Sequence, residues 1–309
     1  MASIEKEFLT KGMSRLIDWL VWIMSLIPFR MGQFFGRMLA KAFGIIPVSR
    51  TKVSLDGLRN AFGDQMAEAE IKVLNRRVVM HFGQMLFEIP HILRLTNSNL
   101  HRYVEFENVE NLLSAIGKGK GVYILSGHFG NWELMAAAVA LKFAPKTAVV
   151  ARPIDFAPAD RVIGMLRSRF GTEIIPKKGA VRRVMKAVRE NKMVGILLDQ
   201  NVDWYDGVFV SFLGRPACTN KGLALMAQKT GSPVIPAFSV RQPDGRYRII
   251  FEKEVELCKT GDKTRDIEEN TALFTGSIES YVNRYPDHWF WFHRRWKTIP
   301  FCPLPDCFQ

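Results

Sequence analysis

Cysteine is scarce in this chain. Its four residues, Cys218, Cys258, Cys302 and Cys307, form no Cys-x-x-Cys pair of the metal-binding kind. Scattered over 309 residues, they do not read as a disulfide framework, so a reduced, cytoplasm-facing body is the expectation. Long hydrophobic runs are missing as well. Only Leu16 to Phe29, between Arg15 and Arg30, is strongly apolar, and it contains Asp18, which excludes a polytopic membrane protein. Fourteen helical residues rise about 21 Å against a hydrocarbon thickness of about 30 Å, so a clean spanning helix is not expected. No small-x-small site follows the run, and no cleavable signal is expected. Acidic residues are outnumbered, 30 against 43 Lys and Arg, leaving a formal charge of +13. Also missing are a Gly-x-Ser-x-Gly elbow, a Gly-x-x-x-x-Gly-Lys phosphate loop, a Gly-x-Gly-x-x-Gly turn and a His-Glu-x-x-His pair. His288 and His293 are poorly spaced for one helix face and have no third ligand, so no metal is expected.

What is present is a chain able to bury a large core, with 48% apolar and 24% charged residues. The length suits one large α/β domain or two small ones. The positive surplus calls for an anionic partner: nucleic acid, a membrane face, or an acidic substrate or carrier. Residues 1 to 60 hold nine Lys/Arg and four Asp/Glu. There Trp19 and Trp22 have rings suited to headgroup depth. The next segment puts Arg30, Gln33, Arg37 and Lys41 along one helical stripe, with Phe34, Phe35, Met38, Leu39 and Phe43 elsewhere. The expectation is a membrane-anchoring or interfacial helical segment over residues 1–50 and a catalytic domain over 51–309. An ordinary core helix followed by an amphipathic one is the alternative.

Residues 65 to 115 read as helical, with Ile71, Leu74, Val78, Val79, Phe82, Met85 and Leu86 spaced to form a buried face. From Gly121 short β-branched runs alternate with helices. Strands are expected at Val122–Leu125, Thr147–Ala151, Ile174–Ile175, Val194–Leu198, Val208–Phe212 and Val234–Val240. Helices are expected at Gly130–Lys142, Pro158–Phe170, Ala180–Glu190, Ala217–Lys229 and 265–284. Gly245 turns into an antiparallel strand from Arg246 to Val255. The fold class is therefore α/β, a mixed central sheet flanked by helices behind a helical front, with active residues beyond the carboxyl ends of strands.

The most informative stretch runs from Gly121 to Ala138. A buried strand enters a glycine-flanked histidine, His128, then Asn131 as a helix N-cap and Glu133 in the first turn of an alanine-rich helix. Residues five apart on one helix point about 140° from each other, so His128 and Glu133 cooperate only with the histidine on the loop and the glutamate on the helix. A first-turn carboxylate is favoured by the helix dipole and can orient an imidazole and stabilise its protonated form. A satisfied loop histidine beside an ordinary helix-start glutamate is the blander alternative.

Gly127-His-Phe-Gly-Asn-Trp-Glu133 resembles the His-x4-Asp/Glu block of the glycerolipid acyltransferase superfamily. The surrounding motifs are similar to those of the late (lauroyl/myristoyl) acyltransferases of lipid A biosynthesis. They include Asn60-Ala-Phe62, Ala151-Arg-Pro153, Gly195-Ile-Leu-Leu-Asp-Gln200, Val210-Ser-Phe-Leu-Gly-Arg215, Thr230-Gly-Ser-Pro-Val-Ile-Pro-Ala-Phe238 and Trp291-Phe-His-Arg-Arg-Trp-Lys297. The resemblance covers nearly the whole chain. It implies acyl transfer from a thioester on acyl carrier protein to a hydroxyl of a glucosamine-based lipid precursor at the cytoplasmic face of the inner membrane. His128 would be the general base and Glu133 would hold its tautomer and charge. The N–H groups near Gly130 and Asn131 would bind the oxyanion, and Arg152 and Asp199 would complete the active site. No cofactor is implied, because the thioester is already activated. Phosphatidylinositol mannoside acyltransferases share the block, and glutamate rather than aspartate leans toward the lipid A branch.

Residues 151 to 200 carry eleven Lys/Arg and five Asp/Glu. Lys177, Lys178, Arg182 and Arg183 cluster there and, with Asn131 and Arg215, are candidates for binding substrate phosphates or an acidic carrier; a solvated helix face is the alternative. In the tail Trp289, Phe290, Trp291, Phe292 and Trp296 interleave with Arg294, Arg295 and Lys297. A membrane interface, single-stranded nucleic acid and a core-packing final strand all suit that mixture. No nucleic-acid recognition motif accompanies it, so a nucleic-acid binder ranks below the acyltransferase, as does a non-catalytic membrane scaffold.

Overall fold

The computed structural model describes residues 2–43, 47–143 and 146–300. Cys302 and Cys307 lie outside them, as does the side chain of Phe43. Among the described residues ten α-helices and nine strands run in the order α1 (Ala2–Leu26), α2 (Phe29–Phe43), α3 (Val48–Phe62), α4 (Glu68–Glu88), β1 (Val104–Glu107), α5 (Val109–Gly117), β2 (Val122–Ser126), α6 (Trp132–Lys142), β3 (Thr147–Ala151) and α7 (Ala157–Ser168). After these come β4 (Glu173–Pro176), α8 (Ala180–Arg189), β5 (Met193–Leu197), β6 (Gly207–Phe212), β7 (Arg215–Asn220), α9 (Gly222–Thr230), β8 (Val234–Arg241), β9 (Tyr247–Phe251) and α10 (Lys263–Arg284).

Seven strands form one mixed sheet in the order β1-β9-β8-β2-β5-β3-β4. β8, β2, β5, β3 and β4 are parallel, β9 is antiparallel to β8, and β1 is parallel to β9. β2 is buried along its whole length, and its side chains alternate between two cores. Tyr123 and Leu125 join the core shared with α8, α9 and α10, whereas Val122 and Ile124 join the one shared with α5, α6 and α7. β2 and β5 are neighbours, so the turns leaving their carboxyl ends meet.

Two parts of the sequence reading are corrected. The expected helix Ala217–Lys229 begins only at Gly222, because residues 215–220 pair with β6 as a separate antiparallel hairpin. Its turn is Leu213–Gly214, both at positive φ (52° and 72°), the backbone that suits a tight hairpin. The helical reading of 65–115 is interrupted after Glu88 by short 3-10 turns and edge strand β1, and holds again in α5. Within α4 Ile71, Leu74, Val78, Phe82 and Met85 are buried as expected, whereas Leu86 faces out.

The helical front is docked in an inverted sense. α2 lies against α4 through small residues: a Cβ on Gly83 would come within 2.5 Å of the Ala40 Cβ, and one on Gly36 within 2.4 Å of the Gly83 carbonyl oxygen. Gln33 of the supposed polar stripe is buried in that contact, while Met31, Phe34, Phe35, Met38 and Leu39 are exposed. On α1, Trp19 and Trp22 are exposed too, while Ile17 and Val21 pack against the core beside α6 and α7. Among the described residues no helix is long and apolar enough to cross a membrane.

Candidate active site

His128 sits two residues beyond the end of β2, and Asp199 two residues beyond the end of β5. Parallel pairing of the two strands brings them together. The His128 Nδ1 lies 2.8 Å from Asp199 Oδ1. The other carboxylate oxygen accepts the His128 backbone N–H and the Trp289 Nε1–H, each at 2.8 Å. Asp199 is buried, which disfavours its charged form, but the facing His128 and these hydrogen bonds outweigh burial and hold its pKa well below the carboxylate range. An ionised, acceptor-only carboxylate fixes the proton on Nδ1 and leaves the Nε2 lone pair exposed. Nε2 lies 3.4 Å from the side-chain amide of Gln200, the residue after Asp199. The edge of the imidazole meets the Trp132 indole at a centroid distance of 5.0 Å, and Phe290 stands 6.1 Å away.

Glu133 does not reach the imidazole. Its carboxylate accepts a forked pair from Arg167 of α7, Nε at 2.9 Å and Nη2 at 2.5 Å, and a third bond from Trp132 Nε1 at 3.0 Å. Burial alone would lower the Arg167 pKa, but the Glu133 bonds outweigh it and raise it. The contact with the imidazole expected of Glu133 is made by Asp199 instead. The reason is geometric: from the first turn of α6 the glutamate points toward α7, and Trp132 stands between it and His128. Arg167 was not legible, since 34 residues separate it from Glu133 and only the packing of α6 on α7 joins them.

The expected oxyanion donors are already engaged. The Gly130 N–H donates to the His288 carbonyl at 2.9 Å and the Asn131 N–H to Ser239 Oγ at 3.0 Å. Gly130 itself is required, because a Cβ there would lie 1.8 Å from the Ser239 carbonyl oxygen. Asn131 is fully buried; its Oδ1 caps Leu134 N–H at 3.0 Å and its Nδ2 donates to Glu88 at 3.0 Å, so it is no substrate contact. The donor that does face Nε2 is the Gln200 amide.

Arg152 follows β3 on the same carboxyl edge as His128 and Asp199 but points to solvent, paired at 2.9 Å with a still more exposed Asp155. With β5 between, β3 lies roughly 10 Å from β2 at 4.8 Å per strand step. The Arg152 guanidinium here turns to Asp155 rather than to the His128–Asp199 pair. Instead Arg152 stands beside Lys177, whose N–H donates to the Ala151 carbonyl at 3.0 Å, and with Lys178, Arg182 and Arg183 it makes an exposed basic rim over β3, β4 and α8. Arg215 sits at the tip of the β6–β7 hairpin, which packs on α10.

Of the tail residues, Trp289, Trp291 and Phe292 are core and Arg295 is buried, donating to the Cys218 carbonyl at 2.9 Å and to Thr219 Oγ1 at 2.5 Å. The membrane and nucleic-acid readings of this segment give way to the core-packing one, and Trp289 and Phe290 join the site. The indole N–H at residue 289 is the signal that sequence reasoning passed over. Among the described residues no cluster of His, Cys, Asp and Glu is arranged to hold a metal ion.

The family model for bacterial lipid A biosynthesis acyltransferase matches residues 4–298. The chain is 22% identical over 290 residues to a lipid A biosynthesis acyltransferase of Haemophilus influenzae, covering 91% of this chain and 88% of that protein. It is 23% identical over 282 residues to the lipid A biosynthesis palmitoleoyltransferase of Escherichia coli (91% and 89% covered). Against the lauroyltransferase of the same organism it is 23% identical over 281 residues (91% and 90% covered). A match over nearly the full length makes this chain, with its histidine–aspartate pair at adjacent strand ends, a member of the bacterial lipid A biosynthesis acyltransferase family.

Proposed function

We propose that the protein transfers a fatty acyl chain from an acyl carrier protein thioester to a hydroxyl of a lipid A precursor, with His128 as general base. The observation that carries this is the His128–Asp199 bond, which leaves Nε2, beside the Gln200 amide, as the proton acceptor. Nε2 takes the acceptor hydroxyl proton, and the oxygen attacks the thioester carbonyl carbon. As the C–O bond becomes the ester, the C–S bond breaks and the departing sulfur takes the proton back from the imidazolium. Developing negative charge on the carbonyl oxygen is met by the Gln200 amide. Glu133 and Arg167 are positioning residues that hold the Trp132 ring against the imidazole.

Residues 1–50 form the membrane-directed part and 51–309 the catalytic domain. The exposed Trp19, Trp22, Phe34, Phe35 and Met38, with Arg30, Arg37 and Lys41 among them, suit an interfacial seat on anionic lipid at the cytoplasmic face of the inner membrane. α1 packs on α7, whereas α8 belongs to the core on the other side of the sheet. The exposed basic rim suits a soluble acidic carrier. The test is thioester consumption by purified protein with a lipid A precursor: His128→Ala should reduce turnover by about 10²- to 10⁴-fold with folding and vesicle binding intact. Undiminished turnover in that variant would sink the reading.

A further inference from the structure

Beneath the His128 loop lies a buried polar cluster that the chemistry above does not use. Glu88, at the end of α4 and fully buried, accepts from four side chains on four different elements. Gln33 Nε2 of α2 reaches Oε1 at 2.8 Å. Arg241 of β8 donates twice to the same oxygen, at 3.1 and 2.9 Å. The Tyr247 hydroxyl of β9 and Asn131 Nδ2, the cap of α6, reach Oε2 at 2.8 and 3.0 Å. Arg241 spends its remaining N–H groups on Gln84 Oε1 at 3.0 Å and on His81, whose Nδ1 is 2.7 Å away.

A buried ion pair is poor evidence for stability, because an apolar replacement of equal volume is often as stable; what it fixes is position. Here the positions fixed are those on either side of His128. On one side Glu88 grips Asn131, three residues on. On the other the Arg241 backbone N–H donates to His288 Nε2 at 3.2 Å, and the His288 carbonyl takes the Gly130 N–H. The next residues of that same segment supply the Trp289 indole N–H to Asp199 and the Phe290 N–H to the His128 carbonyl at 2.9 Å.

We propose that Glu88, through Asn131 and with Arg241, is a positioning residue for the catalytic base: it sets the height of the His128 loop so that the imidazole meets Asp199. The proposal rests on the reading of His128 as base. Its experiment therefore carries one readout that does not depend on turnover.

Asn131→Ser keeps an oxygen able to cap α6 and removes the amide that donates to Glu88. In the full-length protein with acyl carrier protein thioester and lipid A precursor, this variant should lose kcat on the order of 10²-fold, the scale of a sub-ångström to ångström misplacement, with both KM values unchanged. With selectively labelled histidine, the hydrogen-bonded Nδ1–H proton of His128 should shift or broaden, while thermal unfolding stays well above the assay temperature. Glu88→Gln tests the same link from its other end, and the double variant should lose no more kcat than the worse single one. Wild-type kcat and an unmoved His128 resonance in Asn131→Ser would overturn the proposal, as would multiplying losses in the double variant. If Glu88→Gln does not fold, Asn131→Ser alone decides. A fully active His128→Ala would instead defeat the reading of His128 as base, whatever the resonance does.

Discussion

Asp199 receives three hydrogen bonds on two oxygens, and that arrangement decides which nitrogen of His128 can take a proton. Asp199→Asn leaves the size of the side chain but presents an amide that can donate to Nδ1, so the imidazole can settle in the wrong tautomer. Turnover should fall by roughly 10³- to 10⁴-fold, with the loss in kcat rather than KM, measured in steady state. Arg167 offers a second residue-level test. Its fork holds both Glu133 oxygens, a geometry that a lysine ammonium cannot copy. Arg167→Lys should therefore lose activity nearly as fully as Arg167→Ala. Near-normal turnover in the lysine variant would reduce the pair to a simple charge balance. His128 itself was legible because glycines flank it at a strand end; Asp199 was named for the active site only through the family resemblance, with no contact assigned to it, and the imidazole contact expected of Glu133 is not made because its carboxylate turns to Arg167.

At the scale of elements, the alternation from Gly121 onward gave the strands that matter. β2, β3, β5 and β8 lie where short β-branched runs predict them, since parallel strands buried on both faces need such runs. The hairpin strand β7 was hidden because Ala217 and Cys218 are as acceptable in a helix as in a strand, and only pairing with β6 across Leu213–Gly214 selects between them. Edge strand β1 was hidden for the same reason: four residues carry too little periodicity, and its partner lies over a hundred residues away. α8 and the turn before it provide a prediction. Arg182→Glu with Arg183→Glu should raise KM for an acyl carrier protein thioester by about tenfold or more, and the effect should shrink as salt is added. KM for the matching coenzyme A thioester, which lacks the acidic protein, should change far less. Equal changes for both donors would assign the rim to another ligand.

For the whole molecule, buried histidines set the response to acid. Burial lowers His91 to about 4 from the 6.5 of an exposed imidazole, and burial with the adjacent Arg241 keeps His81 well below it. Such groups are neutral when folded and bind protons when unfolded at any pH between the two values. Their stabilisation is complete above about 6.5, falls as pH drops toward 4 and then levels. For His91 the depression from 6.5 to about 4 is worth on the order of 3 kcal/mol. Asp199 acts with the opposite protonation chemistry in a separate window: its contribution persists through this range and is lost only below the ordinary carboxylate pKa of 3.8. His91→Phe keeps a ring against Phe29 and Tyr103 and removes the proton linkage. Chemical unfolding of that variant should show a flatter dependence of stability on pH between 4 and 6.5; an unchanged slope would place the linkage in other groups.

By itself the sequence determined the sheet-forming runs, the strand-end histidine, the positive surplus and the ordered motifs that resemble an acyltransferase family. These are local properties, set by side-chain period, by glycine and cap chemistry within a few residues, and by composition. Only the tertiary structure decided that Asp199 rather than Glu133 holds the imidazole, that Arg167 holds Glu133, that the aromatic tail is core, and that Glu88 gathers four elements under the loop. Each of those depends on strands β2 and β5 lying side by side, or on helices α4, α6 and α7 meeting around them. A hydrogen bond is made only at about 3 Å, and residues 34 to 159 positions apart reach that distance only once the chain has packed.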